Sequence, residues 1–311
     1  MPEKLKGKDF ISIHDLSVEE VQFVFETTKL LKIEERMGIR RPILKDKNLG
    51  MIFQKSSTRT RVSFEIGMNQ MGGKAIFLSS NDIQLNRGET VADTARVLSR
   101  YLDGIMARVF GHDIILELAK YSSVPVINGL SDFLHPCQAM ADFYTMYEKS
   151  GKLQGLHLVY VGDSNNVSNS LMMAAAKTGV HITICSPQGF TPTENIMNWY
   201  HQDAPSTGST FQFTSDPIEA VKHADYIYTD VWASMGQEAE AEKRKAIFTP
   251  YQINSELLSK APSHCLVLHC LPAHRGDEIT DEIMDGPHSI VFDEAENRLH
   301  AQKAIMALLM Q

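Results

Sequence analysis

Short apolar runs alternate with longer stretches of helical spacing along almost the whole 311-residue chain, and this alternation limits the fold more than any single motif. Strands separated by helix-length crossovers must pair in parallel, because a parallel pair needs a connection of about a dozen residues or more. Apolar runs place strands near residues 50–53, 75–78, 105–109 and 125–128 in the first half. In the second half they fall near 156–161, 181–185, 210–213, 226–230, 265–269 and 289–292. One helix is expected over 58–71, stopping at Gly72-Gly73. Another carries Val91, Ala95, Leu98 and Leu102 on one face, and a third starts at Pro136 and runs to Lys149-Ser150-Gly151. The segment 295–309 reads as a last helix. The expected fold class is α/β, with two open, mainly parallel-sheet α/β domains joined by helices. The first domain spans 1–150 and the second 151–294, with the final helix (about 295–311) packing back on the first.

Composition excludes several classes of partner. Lys plus Arg number 30 against 38 Asp plus Glu, a net charge of −8, whereas nucleic-acid binders usually present a basic face. No nucleic-acid partner is expected. Cys137, Cys185, Cys265 and Cys270 form no CxxC pair and are too scattered for a disulfide scaffold. The first residues lack the apolar core of a signal peptide, and no apolar run approaches ~18 residues. The expectation is a cytoplasmic protein with no membrane partner.

In open parallel sheets ligands bind beyond the carboxyl ends of the strands, so polar residues just after expected strands are the first candidates. Lys55-Ser56-Ser57-Thr58-Arg59-Thr60-Arg61 follows the first strand and opens a helix. Cations in a first turn oppose the helix dipole, each by a few tenths of a kcal/mol up to ~1. A bound anion reverses that sign and also takes up the unpaired N–H groups. The spacing is not that of a P-loop. Arg108 ends the third strand, and His135-Pro136-Cys137-Gln138 opens a helix. Arg, His and Gln are donors of the kind that stabilise a tetrahedral oxyanion, and Thr60 could add a hydroxyl. Singly, each also reads as a structural polar residue.

In the second half, Gly162-Asp163-Ser164-Asn165-Asn166 follows a strand but lacks the glycine fingerprint of a dinucleotide site. Asp230 ends another strand and leads into a polar loop running to Arg244, with Gly236 as a hinge. His264, Cys265, His269, Cys270 and His274 raise the question of zinc. On a strand, alternation sends Cys265 and His269 to one face and His264 and Cys270 to the other, so no four-ligand cluster follows and no metal is expected.

Ser57-Thr58-Arg59-Thr60-Arg61 followed by Val62-Ser63-Phe64-Glu65 closely resembles the carbamoyl-phosphate motif of the aspartate/ornithine carbamoyltransferases, and the resemblance covers nearly the whole chain. His135-Pro136-Cys137-Gln138, Asp230-x-x-x-Ser234-Met235-Gly236 and His269-Cys270-Leu271-Pro272 resemble the ornithine branch of that family. Where this chain has Ser164, relatives typically have Gly. The resemblance implies transfer of a carbamoyl group from carbamoyl phosphate to the δ-amine of ornithine, in arginine biosynthesis. It implies Ser57, Thr58, Arg59, Thr60, Gln84, Arg108, His135, Pro136, Cys137, Gln138 and Arg298 as carbamoyl-phosphate residues. It implies Asn166, Asp230, Ser234, Met235, Cys270 and Leu271 as ornithine residues, with catalysis resting on Arg108, His135, Gln138, Asp230 and Cys270. No cofactor is implied, and the assembly expected is a homotrimer with shared active sites, Gln84 reaching the neighbouring subunit. A sister carbamoyltransferase with another amine acceptor, or a non-catalytic anion-binding subunit, remains open.

Overall fold

A computed structural model describes residues 5–80, 82–233 and 240–311. The chain divides into two units, one made of residues 1–144 and 296–311 and the other of 145–295. The boundaries fall inside two helices, α5 (Pro136–Ser150) and α12 (Val291–Met310).

The first unit opens with α1 (Val18–Arg36), started by a capping box in which Ser17 Oγ accepts from the Glu20 N–H (3.2 Å) and Glu20 accepts from the Ser17 N–H (2.9 Å). Four strands follow, alternating with helices: β1 (Asn48–Phe53), α2 (Thr58–Gln70), β2 (Lys74–Ser79), α3 (Val91–Leu98), β3 (Gly104–Arg108), α4 (His112–Tyr121) and β4 (Val126–Leu130). They form one parallel sheet in the order β2-β1-β3-β4. All residues of β3 and β4 are buried, as parallel strands covered on both faces require. The chain leaves β1 toward β2 and returns on its other side as β3, so the crevice lies past the carboxyl ends of β1 and β3. A bulge between Ala107 and Arg108 shifts the β3–β4 register there, the kind of irregularity that re-aims a side chain beside a site.

The second unit repeats the scheme with β5 (His157–Val161), α6 (Asn166–Thr178), β6 (His181–Cys185), α7 (Glu194–Asp203), β7 (Phe211–Thr214), α8 (Pro217–Val221), β8 (Tyr226–Thr229), α9 (Ala241–Phe248), α10 (Ser255–Leu258), β9 (Leu266–His269) and α11 (Asp281–Met284). The parallel order is β7-β6-β5-β8-β9. Its switch point falls between β5 and β8, so the crevice lies past Val161 and Thr229. Among the described residues no helix is long and apolar enough to cross a membrane.

Two expectations needed correction. Residues 289–292 are not a strand: Ser289 makes a single bridge to Val267, and α12 starts at Val291. A run as short as Ser289-Ile290-Val291-Phe292 cannot distinguish strand from helix, and Asp293 and Glu294 favour a helix start at that point. Asp230 also lies one residue beyond its strand, since β8 ends at Thr229.

Candidate active site

In the first unit, Ser57 caps α2 and accepts from the Thr60 N–H at 3.2 Å. No acidic residue stands in the first turn. The three cations of the sequence motif take different directions. Arg61 pairs with Glu65 (2.9 Å) and lies over the Phe77 ring (3.9 Å), while Lys55 lies over the Phe110 ring (4.6 Å). Arg59 instead joins Arg108 and Arg298 around His135.

Arg298, 3% exposed, organises this cluster. It donates from Nη1 to Gln138 Oε1 (2.6 Å) and from Nη2 to Thr60 Oγ1 (3.1 Å). Gln302, its amide oriented by the surrounding hydrogen bonds, accepts from Arg298 Nη2 (3.0 Å) and Nε (3.1 Å) and donates to Ser63 Oγ (2.5 Å). Gln138 donates from Nε2 to the buried Asp142 (2.7 Å). One guanidinium therefore ties the start of α2 to α5 through neutral oxygens, and its charge stays uncompensated by those contacts.

Burial first, then the charges of Arg298, Arg108 and Arg59, hold the pKa of His135 well below the ordinary imidazole range. His135 is thus a neutral hydrogen-bonding group in a positive surrounding. Pro136 starts α5 as expected of a first-turn proline. Cys137 is buried, its Sγ 3.4 Å from the Asn128 carbonyl, and burial pushes its pKa up to about 12. It packs and does not react. Gln84 opens the short 3-10 turn Gln84–Arg87 in an exposed position, and none of the contacts just described involves it.

In the second unit, Asp230 is the centre. Its Oδ1 accepts from the Val231 N–H (2.8 Å) and from Cys270 Sγ (3.0 Å); its Oδ2 accepts from Asn165 Nδ2 (2.8 Å). Asn165 is also the cap of α6, accepting from the N–H groups of Val167 and Ser168. Asn166 is the first residue of α6, half-buried. Arg244 donates from Nε to the Trp232 carbonyl (2.5 Å) and pairs with Asp163. Ser234 and Met235 lie outside the described residues.

Strand alternation does not separate His269 from Cys270, contrary to expectation. β9 ends at His269 and Leu271 turns left-handed (φ 57°), so ligand-type atoms of Asp230, His269 and Cys270 come within 4.8 Å of one another. Both ring nitrogens of His269 are engaged, however: Nδ1 accepts from the Leu271 N–H (2.9 Å) and Nε2 faces Glu278 (3.0 Å). The trio then offers two ligands, fewer than a zinc site normally uses.

Burial first, then Asp230, Asp163, Cys270 and Glu278, raises the pKa of Tyr160 well above the ordinary phenol range. The surrounding here is negative. A separate cavity of about 440 Å³, lined by Ser255, Leu258, Pro262, Glu282 and His288, gathers residues from the segments before β9 and before α12 and none of the charged cluster.

Asp142, Asn165, Arg244, Glu278, Glu294 and Gln302 were not singled out from sequence. Asp142 stands one helical turn after Gln138, and Asn165 is a favoured cap residue before a helix; both signals were legible. The others meet their partners only through the fold.

Comparison with known proteins agrees with this geometry. Residues 8–148 match the family profile described as aspartate/ornithine carbamoyltransferase, carbamoyl-P binding domain, and residues 154–309 match the Asp/Orn binding domain of the same family. The chain is 56% identical over 310 residues to a Thermococcus kodakarensis protein named ornithine carbamoyltransferase, covering 100% of this chain and 98% of the relative. A Pyrococcus furiosus relative named ornithine carbamoyltransferase, anabolic, is 54% identical over 310 residues, covering 100% of this chain and 98% of that one. The solved structure titled ornithine carbamoyltransferase from Pyrococcus furiosus superposes with a TM-score of 0.96 at 55% identity, covering 98% of each chain. A Giardia lamblia structure titled ornithine transcarbamoylase gives 0.88 at 32% identity, covering 97% of each. With its two units, its charged strand-end clusters and both family profiles matched, the chain belongs to the aspartate/ornithine carbamoyltransferase family.

Proposed function

We propose that the protein transfers the carbamoyl group of carbamoyl phosphate to the δ-amine of L-ornithine, giving L-citrulline and phosphate. The observation that carries this is that one unit holds a triple-arginine cluster around a neutral His135 and the other holds an acid–thiol cluster at Asp230 and Cys270. Carbamoyl phosphate is an anion, and ornithine carries two amines beside one carboxylate. Each cluster has the charge its substrate lacks.

In this reading the phosphate docks on the backbone N–H groups of Ser57, Thr58, Arg59 and Thr60 and on the Arg59 guanidinium. Arg108, His135 and the Thr60 hydroxyl polarise the carbonyl oxygen, and Gln138 lies beside them on α5. Pro136 and Cys137 shape that pocket, and Arg298 holds its donors in place. Donors preset where charge develops are worth ~3–4 kcal/mol each in comparable acyl-transfer sites. Asp230 pairs with the α-ammonium of ornithine. Asn166 and the Ser234–Met235 backbone take its carboxylate, and Cys270 with the Leu271 carbonyl receives the δ-amine.

A free alkylamine has a pKa near ~10.4, so the pocket must favour the neutral form. The δ-nitrogen lone pair then forms the new C–N bond, the C–O bond to phosphate breaks, and the departing phosphate takes the amine proton. Atoms and charge balance without an oxidant, reductant or cofactor.

The name of the Pyrococcus furiosus relative supports a biosynthetic direction toward arginine. The protein works in the cytoplasm as a homotrimer, with Gln84 completing a neighbour's site. Exposed Val62 and Ile66 on α2 and Ile76 on the sheet-edge strand β2 support such an interface. A panel of amines (ornithine, aspartate, putrescine, acetylornithine) assayed with carbamoyl phosphate tests the reaction. Turnover is expected with ornithine; turnover only with another amine assigns a sister activity, and none at all leaves an anion-binding subunit.

A further inference from the structure

Two buried carboxylates stand behind the turn that carries Cys270 and Leu271. Glu278 and Glu294 are both fully buried. Glu294 accepts from the His269 N–H (2.9 Å) and from the Tyr228 hydroxyl (3.1 Å), which fixes the end of β9. Glu278 Oε1 accepts from His269 Nε2 (3.0 Å) and from the His274 N–H (2.6 Å). Because the Leu271 N–H donates to His269 Nδ1 at 2.9 Å, that nitrogen carries no proton. The ring proton is on Nε2, aimed at Glu278.

The chain of contacts therefore runs from Glu278 through the imidazole to the Leu271 amide. Leu271 sits at φ 57°, a conformation that a residue with a Cβ holds only when its surroundings impose it. The same turn places Cys270 Sγ 3.0 Å from Asp230. Glu278 Oε2, by contrast, has no hydrogen-bond donor among the described residues, with His274 Nδ1 at 3.9 Å. A carboxylate kept out of water with one oxygen unsatisfied is a poor device for stability alone. Its visible effect is to fix the tautomer and the plane of His269.

We propose that Glu278, acting through His269, is a positioning residue for the Cys270–Leu271 turn, holding it in the conformation that receives the ornithine δ-amine. This rests on the reading that Cys270 and Leu271 line the amine pocket. Glu278 touches neither substrate nor reacting atoms. Its removal changes the geometry of the turn and leaves the phosphate cluster of the other unit as it was.

The test uses the full chain with E278A, E278Q, H269N and C270S. In E278A, kcat/KM for ornithine is expected to fall about ten- to hundredfold, the range for a lost hydrogen bond to a buried charged group. The carbamoyl-phosphate Kd from calorimetry should stay within about twofold. In E278Q the amide oxygen still accepts from His269, so activity should recover to within about threefold of wild type. H269N retains an acceptor close to Leu271 but cannot reach Glu278, and should reproduce the selective loss of E278A even where E278A fails to fold.

A direct readout comes from maleimide labelling of Cys270, the only cysteine of the four that is not buried. Its rate should change in E278A and H269N and remain near wild type in E278Q. Ornithine kcat/KM within twofold of wild type in H269N and in a folded E278A would overturn the positioning role, as would unchanged labelling in both. If C270S alone leaves ornithine kinetics unaltered, the amine-pocket reading itself fails, an outcome distinct from the first.

Discussion

The two clusters are built by the same topology, at the switch point of a parallel sheet, yet they are electrostatic opposites. Around His135, Arg59, Arg108 and Arg298 keep an imidazole neutral; around Tyr160, Asp163, Asp230, Cys270 and Glu278 discourage a phenol from ionising. Burial is the larger cause in both cases, and the surrounding charges add to it with opposite signs. The difference teaches that the fold supplies a location and the side chains supply the substrate class. An arginine cluster joined through amide and hydroxyl oxygens awaits an anion. An aspartate joined to a thiol and an asparagine awaits a cation.

The most damaging change to this contrast is expected from Arg298→Ala. It removes the donors to Gln138, Thr60 and Gln302 at once, and kcat/KM for carbamoyl phosphate should fall about a thousandfold, the upper range for loss of an oxyanion-type donor. The His135 pKa should rise in the same variant, readable by NMR titration, because the neighbouring positive charge that lowers it most is gone. Asp230→Asn comes next. It keeps the shape and removes the charge, so kcat/KM for ornithine should fall about a hundredfold while carbamoyl-phosphate affinity in calorimetry hardly moves. Equal losses toward both substrates would show that the clusters do not divide the substrates by charge.

A smaller effect is expected in the pH dependence of stability. In the unfolded chain His135 takes up a proton near pH ~6.5, whereas the folded protein resists it until far lower. The unfolded state then binds more protons, so stability falls as pH falls through that window. His135→Gln should remove up to about 2 kcal/mol of the decline between about pH 6.5 and 5, measured by urea unfolding. Tyr160→Phe is the mirror image. Its folded pKa is raised, so its contribution is complete below pH ~10 and is lost as pH rises through the folded value. The Phe variant should lack that alkaline decline and gain up to about 1 kcal/mol near neutrality, since the buried Tyr160 hydroxyl has no hydrogen-bond partner among the described residues.

How much of this was legible before folding follows from how each feature is written along the chain. The cluster that opens α2 is compact in sequence, with Ser57, Thr58, Arg59 and Thr60 following a strand and opening a helix, and both the cap and the anomalous charge can be read locally. The strand–helix alternation likewise identifies parallel sheets without any contact being known. The supports of the Asp230–Cys270 cluster are scattered over Asn165, Asp230, His269, Glu278 and Glu294, and nothing in linear spacing joins Glu278 to His269's ring or Glu294 to its amide. Local patterns also failed where two structures satisfy one pattern. The run at 289–292 suits strand or helix start, and alternation at His269–Cys270 holds only while the strand continues, which it does not.

Arg298 and Gln302 reach the arginine cluster from the last sixteen residues, which belong to the same unit as residues 1–144. A ribosome therefore finishes the contiguous middle unit before it has delivered the side chains that complete the one it began with. Domains generally fold as units, the earliest-made first, but here the earliest-made unit must wait. A polypeptide halted before residue 298 lacks the guanidinium that joins Thr60 to Gln138, and its opening unit is left without the link between the start of α2 and α5.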